Sequence, residues 1–372
     1  MILHTNGLEY DDRIRKEMLT VTRLFPYIQF KIFAIIDGNQ SQNEQGVTEY
    51  GIEYEVPLLT TRLKYKQGTH LLEKAWDFYK TIKPKLNDFD AIWCADFDIF
   101  FFILCEKKNI IWDMHELPTV FMGNILKRKF LIYLIKQCKV VIHANPERIQ
   151  YLVNQKIIKD TSKHYVIHNY PDFDDVSTYT DSTFENFLKW KGEDKCVYIQ
   201  GANNYGRCDK ECIDAIMEIK NLKAVVVGNF RKELKDSYFN KFGEDFFNRI
   251  YFTGMVSQKL TPRYIRCCQA SLVFYRNIGP NNYYCEPNRM FQSIMNDCPV
   301  VVGCNPPMKN LVEKYKFGIS LKSDGTNTSE IIDALHTVLD NYQLYCSNIS
   351  KNKSVIEWRL QEQEFRSIMN QI

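Results

Sequence analysis

No run of about 18 consecutive apolar residues occurs in this chain, so a membrane-spanning helix is not expected. The segment Phe100-Phe101-Phe102-Ile103-Leu104 stops at Cys105-Glu106-Lys107-Lys108 and reads as the start of a buried helix. None of the twelve cysteines forms a CxxC pair, and Cys208, Cys212, Cys267 and Cys268 have no companion histidine at zinc spacing. Reduced thiols are therefore expected. No signal peptide is visible, since the chain opens directly with a strand-like Met1-Ile2-Leu3-His4, and reduced thiols in a cytoplasmic protein are expected. The charge is nearly balanced: 48 Lys and Arg against 45 Asp and Glu give a net +3, too little by itself to imply nucleic-acid binding. Internal repeats and low-complexity tracts are also missing.

What remains is a globular composition, 45% hydrophobic and 25% charged, in 372 residues, which is long for one core and comfortable for two domains. Strand-like and helix-like stretches alternate, as in layered α/β proteins with parallel sheets. Strands are predicted at 30–36, 91–95, 110–113 and 140–144, with amphipathic helices over Leu71–Ile82 and Ile125–Gln137 between them. Residues 39–50 are polar and read as a loop. The stretch 173–185, rich in Asp, Ser and Thr, reads as a linker. A second alternating series follows, with strands at 195–200, 224–228, 250–254, 270–274 and 299–303.

The most informative segment is 281–302, NNYYCEPNRMFQSIMNDCPVVV. A polar, aromatic loop leads to Pro287, which suits the first position of a helix. Met290, Phe291, Ile294 and Met295 then recur at helical spacing, and Asp297-Cys298-Pro299 ends the helix before the buried strand Val300-Val301-Val302. A helix N-terminus behind such a loop is a natural anion site, suited to the diphosphate of an activated donor. Gly201-Ala202-Asn203-Asn204-Tyr205-Gly206-Arg207 likewise follows a strand and precedes a helical segment. Glycine there permits close backbone approach, and Arg207 offers a fixed cationic fork.

Asn281-Asn282-Tyr283-Tyr284, Pro287-Asn288 and Pro299-Val300-Val301 resemble the donor segment of retaining glycosyltransferases with the GT-B fold, in particular the family-4-like enzymes of bacterial surface-polysaccharide assembly. The resemblance extends to the opening HTNGLEYDDRIRKE, to IWDMHELP, HNYPD, YIQGANNYGR and IYFTGMV, and so to most of the chain. It implies two Rossmann-like doubly wound domains facing a central cleft: residues 1–172 for the acceptor and 173–354 for the nucleotide-sugar donor, with a terminal helix at about 355–372 crossing back to the first.

The resemblance also implies roles. Gly201, Arg207, Asn281, Asn282, Tyr283, Tyr284, Asn288, Arg289 and Gln292 would bind the donor, and Arg207 would stabilise charge on the departing nucleotide without a metal. Arg289 stands where lysine is usual, and Gln292 where a glutamate normally holds the ribose hydroxyls. His115, in Asp113-Met114-His115-Glu116, matches a D-x-HE motif whose histidine faces the reacting sugar. Asn6, Gly7, Asp12, Arg13 and Glu116 would lie on the acceptor side. Asp12 can also cap a helix carrying Ile14, Met18 and Leu19. For Arg13, pairing with Glu17 on a helix surface is an equal alternative.

The implied activity is transfer of a sugar, with retention, from a nucleotide-sugar to a glycan or lipid-linked acceptor. No metal and no other cofactor is called for. Three alternatives stay open: a sugar-nucleotide epimerase of similar fold, a non-catalytic sugar-nucleotide-binding subunit, and a metal-dependent GT-A transferase using Asp96 and Asp98. Residues 120–133 mix apolar and basic side chains. That pattern suits either a core helix with a basic edge or peripheral contact with the inner face of the cytoplasmic membrane.

Overall fold

The computed structural model describes residues 1–4, 11–35, 42–59, 71–96, 99–172, 181–201, 205–257 and 260–372. They form two compact units. The first comprises Met1–His168 with Arg359–Ile372, and the second Asn169–Trp358.

The first unit is built on β1 (Ile2–His4), β2 (Lys31–Ile35), β3 (Glu44–Val47), β4 (Glu53–Val56), β5 (Ala91–Cys94), β6 (Asn109–Met114), β7 (Val140–His143) and β8 (His164–Val166), ordered β3-β4-β2-β1-β5-β6-β7-β8. All neighbours are parallel except β3 and β4, an antiparallel pair at the edge. The polar stretch 39–50 therefore contains a strand. Glu44-Gln45-Gly46-Val47 is mostly exposed, so it carries no apolar alternation to betray it. By contrast, all four residues of β7 are buried, the pattern of a parallel strand covered on both faces.

The second unit is built on β9 (Lys195–Gln200), β10 (Leu222–Val227), β11 (Ile250–Gly254), β12 (Ala270–Val273), β13 (Val300–Val302) and β14 (Gly318–Ser320), all parallel and ordered β11-β10-β9-β12-β13-β14. Successive residues of one strand enter opposite cores. Val197 and Ile199 pack under the helices Asp209–Glu218 and Thr328–Asp340, while Cys196 and Tyr198 meet Phe184, Phe187 and Tyr264 on the other face. The strand order reverses between β9 and β12. In open parallel sheets, ligands lodge beyond the carboxyl ends of strands at such a reversal.

Among the described residues no helix is long and apolar enough to cross a membrane. All twelve cysteines are free thiols.

Candidate active site

At the β9/β12 reversal, the loops leaving the two strands are tied together by the Arg276 amide, which donates to the Gly206 carbonyl at 2.8 Å. Gly201 is required there by packing. A Cβ would sit 2.5 Å from the Asn229 carbonyl oxygen, so no other residue lets the ends of β9 and β10 come this close.

Four guanidinium groups collect around these loops. Arg207 and Arg289 both lie over the Tyr275 ring, at 5.6 and 4.8 Å from its centroid. Arg276 and Arg231 lie over Tyr205, at 4.1 and 5.8 Å. Each of the four has a buried Nε without a hydrogen-bond partner among the described residues. Two carboxyl groups stand among them. Glu211 is paired with Arg276 at 2.5 Å. Asp209 is pushed up to about 6 by burial, against the pull of Arg231, Arg289 and Arg207, and its Oδ2 accepts no hydrogen bond from the described residues. Burial also lowers Arg207, opposed by Tyr275 and reinforced by the like charge of Arg289. Four fixed cations thus face two carboxyl groups, an excess suited to an anion with several oxygens.

Arg207 and Arg289, distant in sequence, are brought together as the motifs suggest, but they differ in attachment. Arg289 is buried and donates to the Phe274 carbonyl at 2.7 Å and the Gln200 carbonyl at 3.3 Å. Arg207 ends a short 3-10 turn and is only partly buried.

The predicted loop before the donor helix contains a helical turn, Pro280–Tyr283. Tyr283 and Tyr284 pack edge to face at 4.9 Å, and buried Asn305 donates to the carbonyls of Asn282 at 3.0 Å and Tyr275 at 3.2 Å. Asn281 is half-buried nearby in sequence. The predicted helix is Asn288–Met295, with Asn288 exposed and Gln292 half-buried. Pro287 is its N-cap, one position before the one its sequence suggests, and offers no side-chain cap.

In the first unit, His115 follows β6, and its Nε2 lies 2.7 Å from Asp113 Oδ2. Asp113 is fully buried and accepts two further bonds from Arg13: from Nε at 3.2 Å and from Nη2 at 2.8 Å. Arg13 Nη1 donates to the Ile167 carbonyl at 2.8 Å. Arg148 donates to the His115 carbonyl, so both the ring and the main chain of His115 are fixed. Burial disfavours an imidazolium here, but the Asp113 carboxylate outweighs it and pushes His115 up to about 9. Asp113 is held well below the carboxylate range: Arg13 and His115 overcome its desolvation.

Arg13 therefore makes a buried network, not a surface pair, and its guanidinium is spent on holding Asp113. The cap of the helix Asp12–Leu24 is Asp11, which accepts from the Ile14 amide at 3.2 Å. Asp12 is instead the first helical residue and pairs with Arg15 at 2.7 Å and Lys16 at 2.8 Å. Glu116 is exposed beside His115. Asn6, Gly7, Asp98 and the 202–204 part of the glycine loop lie outside the described residues. Glu17, Asp113 and His115 bring ligand-type atoms within 4.8 Å of one another, but Arg13 already supplies the positive charge in that space.

Sequence reasoning missed Arg231, Arg276, Tyr205 and Tyr275 as members of the cluster. The available signal was position: Tyr275-Arg276 and Asn229-Phe230-Arg231 each follow a predicted buried strand, where parallel sheets place their ligands.

No family model and no curated protein sequence matches the chain. Solved structures do. Sucrose-phosphate synthase from Thermosynechococcus elongatus is similar with a TM-score of 0.78 at 12% identity, over 100% of this chain and 98% of that one. The α,α-trehalose 6-phosphate synthase of Burkholderia multivorans gives 0.73 at 11%, over 100% and 99%. Anabaena HepE in complex with UDP-glucose gives 0.72 at 12%, over 100% and 99%. Identities this low speak for architecture alone, and over its whole length this chain has the GT-B fold.

Proposed function

We propose that the protein is a glycosyltransferase that takes a sugar from a nucleotide-sugar donor. The observation that carries this is the excess of guanidinium groups at the β9/β12 reversal, next to the uncapped N-terminus of Asn288–Met295. The donor diphosphate would take the unpartnered donors of Arg207 and Arg289 and the helix amides, with Gln292 and the Asn281–Tyr284 turn toward the nucleoside and sugar. The solved HepE complex with UDP-glucose supports a nucleoside-diphosphate sugar as the ligand class.

In the first unit, His115 would donate to a sugar hydroxyl and Glu116 would meet the acceptor. The charge on the departing diphosphate is answered by arginine and helix dipole, so the reaction proposed is metal-independent. Retention of configuration, a glycan or lipid-linked acceptor and a place in surface-polysaccharide synthesis follow the sequence resemblance.

Peripheral membrane contact is part of the same reading. Val120, Ile125 and Leu126 are 60%, 69% and 74% exposed beside Lys127 and Lys129, and residues 117–146 contain no acid.

The test is a thermal-shift screen with UDP-, GDP-, ADP- and CMP-sugars, followed by product analysis with and without acceptor. Stabilisation by one nucleotide class and acceptor-dependent sugar release support the proposal. Donor conversion without acceptor would point to an epimerase, and failure of every nucleotide to bind would remove the donor site.

A further inference from the structure

Glu17 is a fully buried ionisable residue that the proposed reaction leaves without a part. It lies on the buried side of the helix Asp12–Leu24, wholly inaccessible, and among the described residues neither carboxyl oxygen has a hydrogen-bond partner. The adjacent cation is Arg13, whose Nε is 3.0 Å from Glu17 Oε1. That Nε already donates to Asp113 Oδ2, while Nη2 and Nη1 go to Asp113 Oδ1 and the Ile167 carbonyl. An ionised Glu17 would be a buried carboxylate with no hydrogen donated to it, an arrangement proteins avoid.

A protonated carboxyl has the opposite need, a hydrogen to give. Asp113 can take it: oxygen atoms of Glu17 and Asp113 and a ring nitrogen of His115 lie within 4.8 Å of one another. Burial first, and then the neighbouring Asp113 carboxylate, push Glu17 well above the usual carboxylate range, whereas Asp113 is held well below it. Two carboxyl groups with environments this different share their proton unequally. Among the described residues, Arg13 and His115 also act on Glu17, and Asp11, His143 and Arg148 stand around the same Asp113–His115 pair.

We propose that Glu17 is a neutral carboxylic acid hydrogen-bonded to the Asp113 carboxylate, and that it acts as a positioning residue for His115 in sugar transfer. The second half rests on the proposed role of His115. In this arrangement Glu17 fixes the Asp113 carboxylate from the side opposite the imidazole and draws off part of its basicity. Asp113 then holds the His115 ring through Nε2, and Nδ1 is the nitrogen left for a ligand.

The test uses the full-length protein with Glu17→Gln and Glu17→Ala. Carboxyl carbon NMR of glutamate-labelled protein, assigned by the signal lost in Glu17→Gln, should find Glu17 protonated at pH 7. Glutamine keeps both the neutrality and a donor, so Glu17→Gln should keep kcat/KM within about twofold. It should also gain thermal stability relative to the unsubstituted protein as pH rises. The Glu17 contribution is complete below the ordinary carboxylate value and is lost as pH climbs through the raised one, and glutamine has nothing to lose. Glu17→Ala should cost about tenfold in kcat/KM and move the alkaline limb of its pH profile upward, because Asp113 becomes more basic. A Glu17 signal in the carboxylate position at pH 7, or a Glu17→Gln protein that loses stability and activity as Glu17→Ala does, would make Glu17 the ionic partner of Arg13 and overturn the proposal. A protonated Glu17 in a protein whose transfer ignores His115→Ala would overturn the positioning role through the reading it rests on, leaving the protonation state intact.

Discussion

Replacing His115 by alanine should change the pH dependence of stability in a window set by Asp113. The ring is 22% exposed, and its Nε2 is 2.7 Å from a fully buried carboxylate. That contact raises the imidazole from 6.5 to about 9, against the effect of burial. The sign follows from linkage. A group with a raised folded value contributes fully below its unfolded value, here near pH 6.5, and loses that contribution as pH rises through the folded one, here near pH 9. The whole shift corresponds to about 3 kcal/mol, and solvent access to the ring trims this to about 2–3 kcal/mol. Urea unfolding of both proteins at intervals from about pH 6 to 9.5 reads the effect as a difference, so titrations common to both proteins cancel. The unsubstituted protein should be the more stable at pH 6, and its advantage should shrink by about 2–3 kcal/mol by pH 9.5. Asp113→Asn should erase the same window, because the carboxylate is its cause. A stability difference that stays flat across the window would refute an imidazolium–carboxylate pair at this site.

Arg207→Ala should lower kcat/KM by about 2–4 kcal/mol of transition-state stabilisation while barely moving the melting temperature; full activity in a folded variant removes Arg207 from the mechanism. Arg289→Ala should behave differently, costing about 1–3 kcal/mol in urea unfolding as well, because it strands the buried carbonyl of Phe274 and frees the partly buried one of Gln200. Gln292→Glu should tighten nucleotide binding by about 1 kcal/mol in calorimetric titration, the gain of a charge-assisted bond over a neutral one; an unchanged affinity would detach this side chain from the ribose. EDTA should leave turnover intact, whereas loss restored by Mn²⁺ would show that arginine and helix dipole do not suffice for the diphosphate.

Much of the fold could be read from the chain because strands buried on both faces declare themselves. Lys195–Gln200 and Val140–His143 fall where predicted, as do the helices Leu71–Ile82 and Ile125–Gln137. The failures share a physical reason. The edge strand Glu44–Val47 faces solvent and has no apolar period to detect. Asp11 and Asp12 are equally good caps, and only the backbone decides which of them precedes the helix. Arg13 and Glu17 have the spacing of a surface pair, and nothing local reveals Asp113, a hundred residues away, which draws the guanidinium inside. The arginines at the β9/β12 reversal divide the same way. Arg207 and Arg289 sat in recognisable motifs, whereas Arg231 and Arg276 join them only because parallel topology delivers the ends of β9, β10 and β12 to one place.

The two units answer the same electrostatic problem, holding positive charge at the carboxyl edge of a parallel sheet, by different means. The second uses arginines, which stay charged at any pH a folded protein meets, and stacks them on Tyr275 and Tyr205 so that the rings replace part of their lost hydration. Asp209 is lifted by burial in spite of three neighbouring cations, and with Glu211 it offsets only part of the charge of the four arginines, leaving an excess for a ligand. The first unit carries its charge on an imidazole that depends on a buried carboxylate, itself secured by Arg13. A diphosphate brings permanent negative charge and is matched by permanent cations. A sugar hydroxyl needs a directed hydrogen bond, and a ring fixed at both its nitrogen and its main chain supplies one. Under the proposed function, a division of labour between a unit that holds the donor and one that reads a hydroxyl would follow from which charges are fixed and which are held on a single proton.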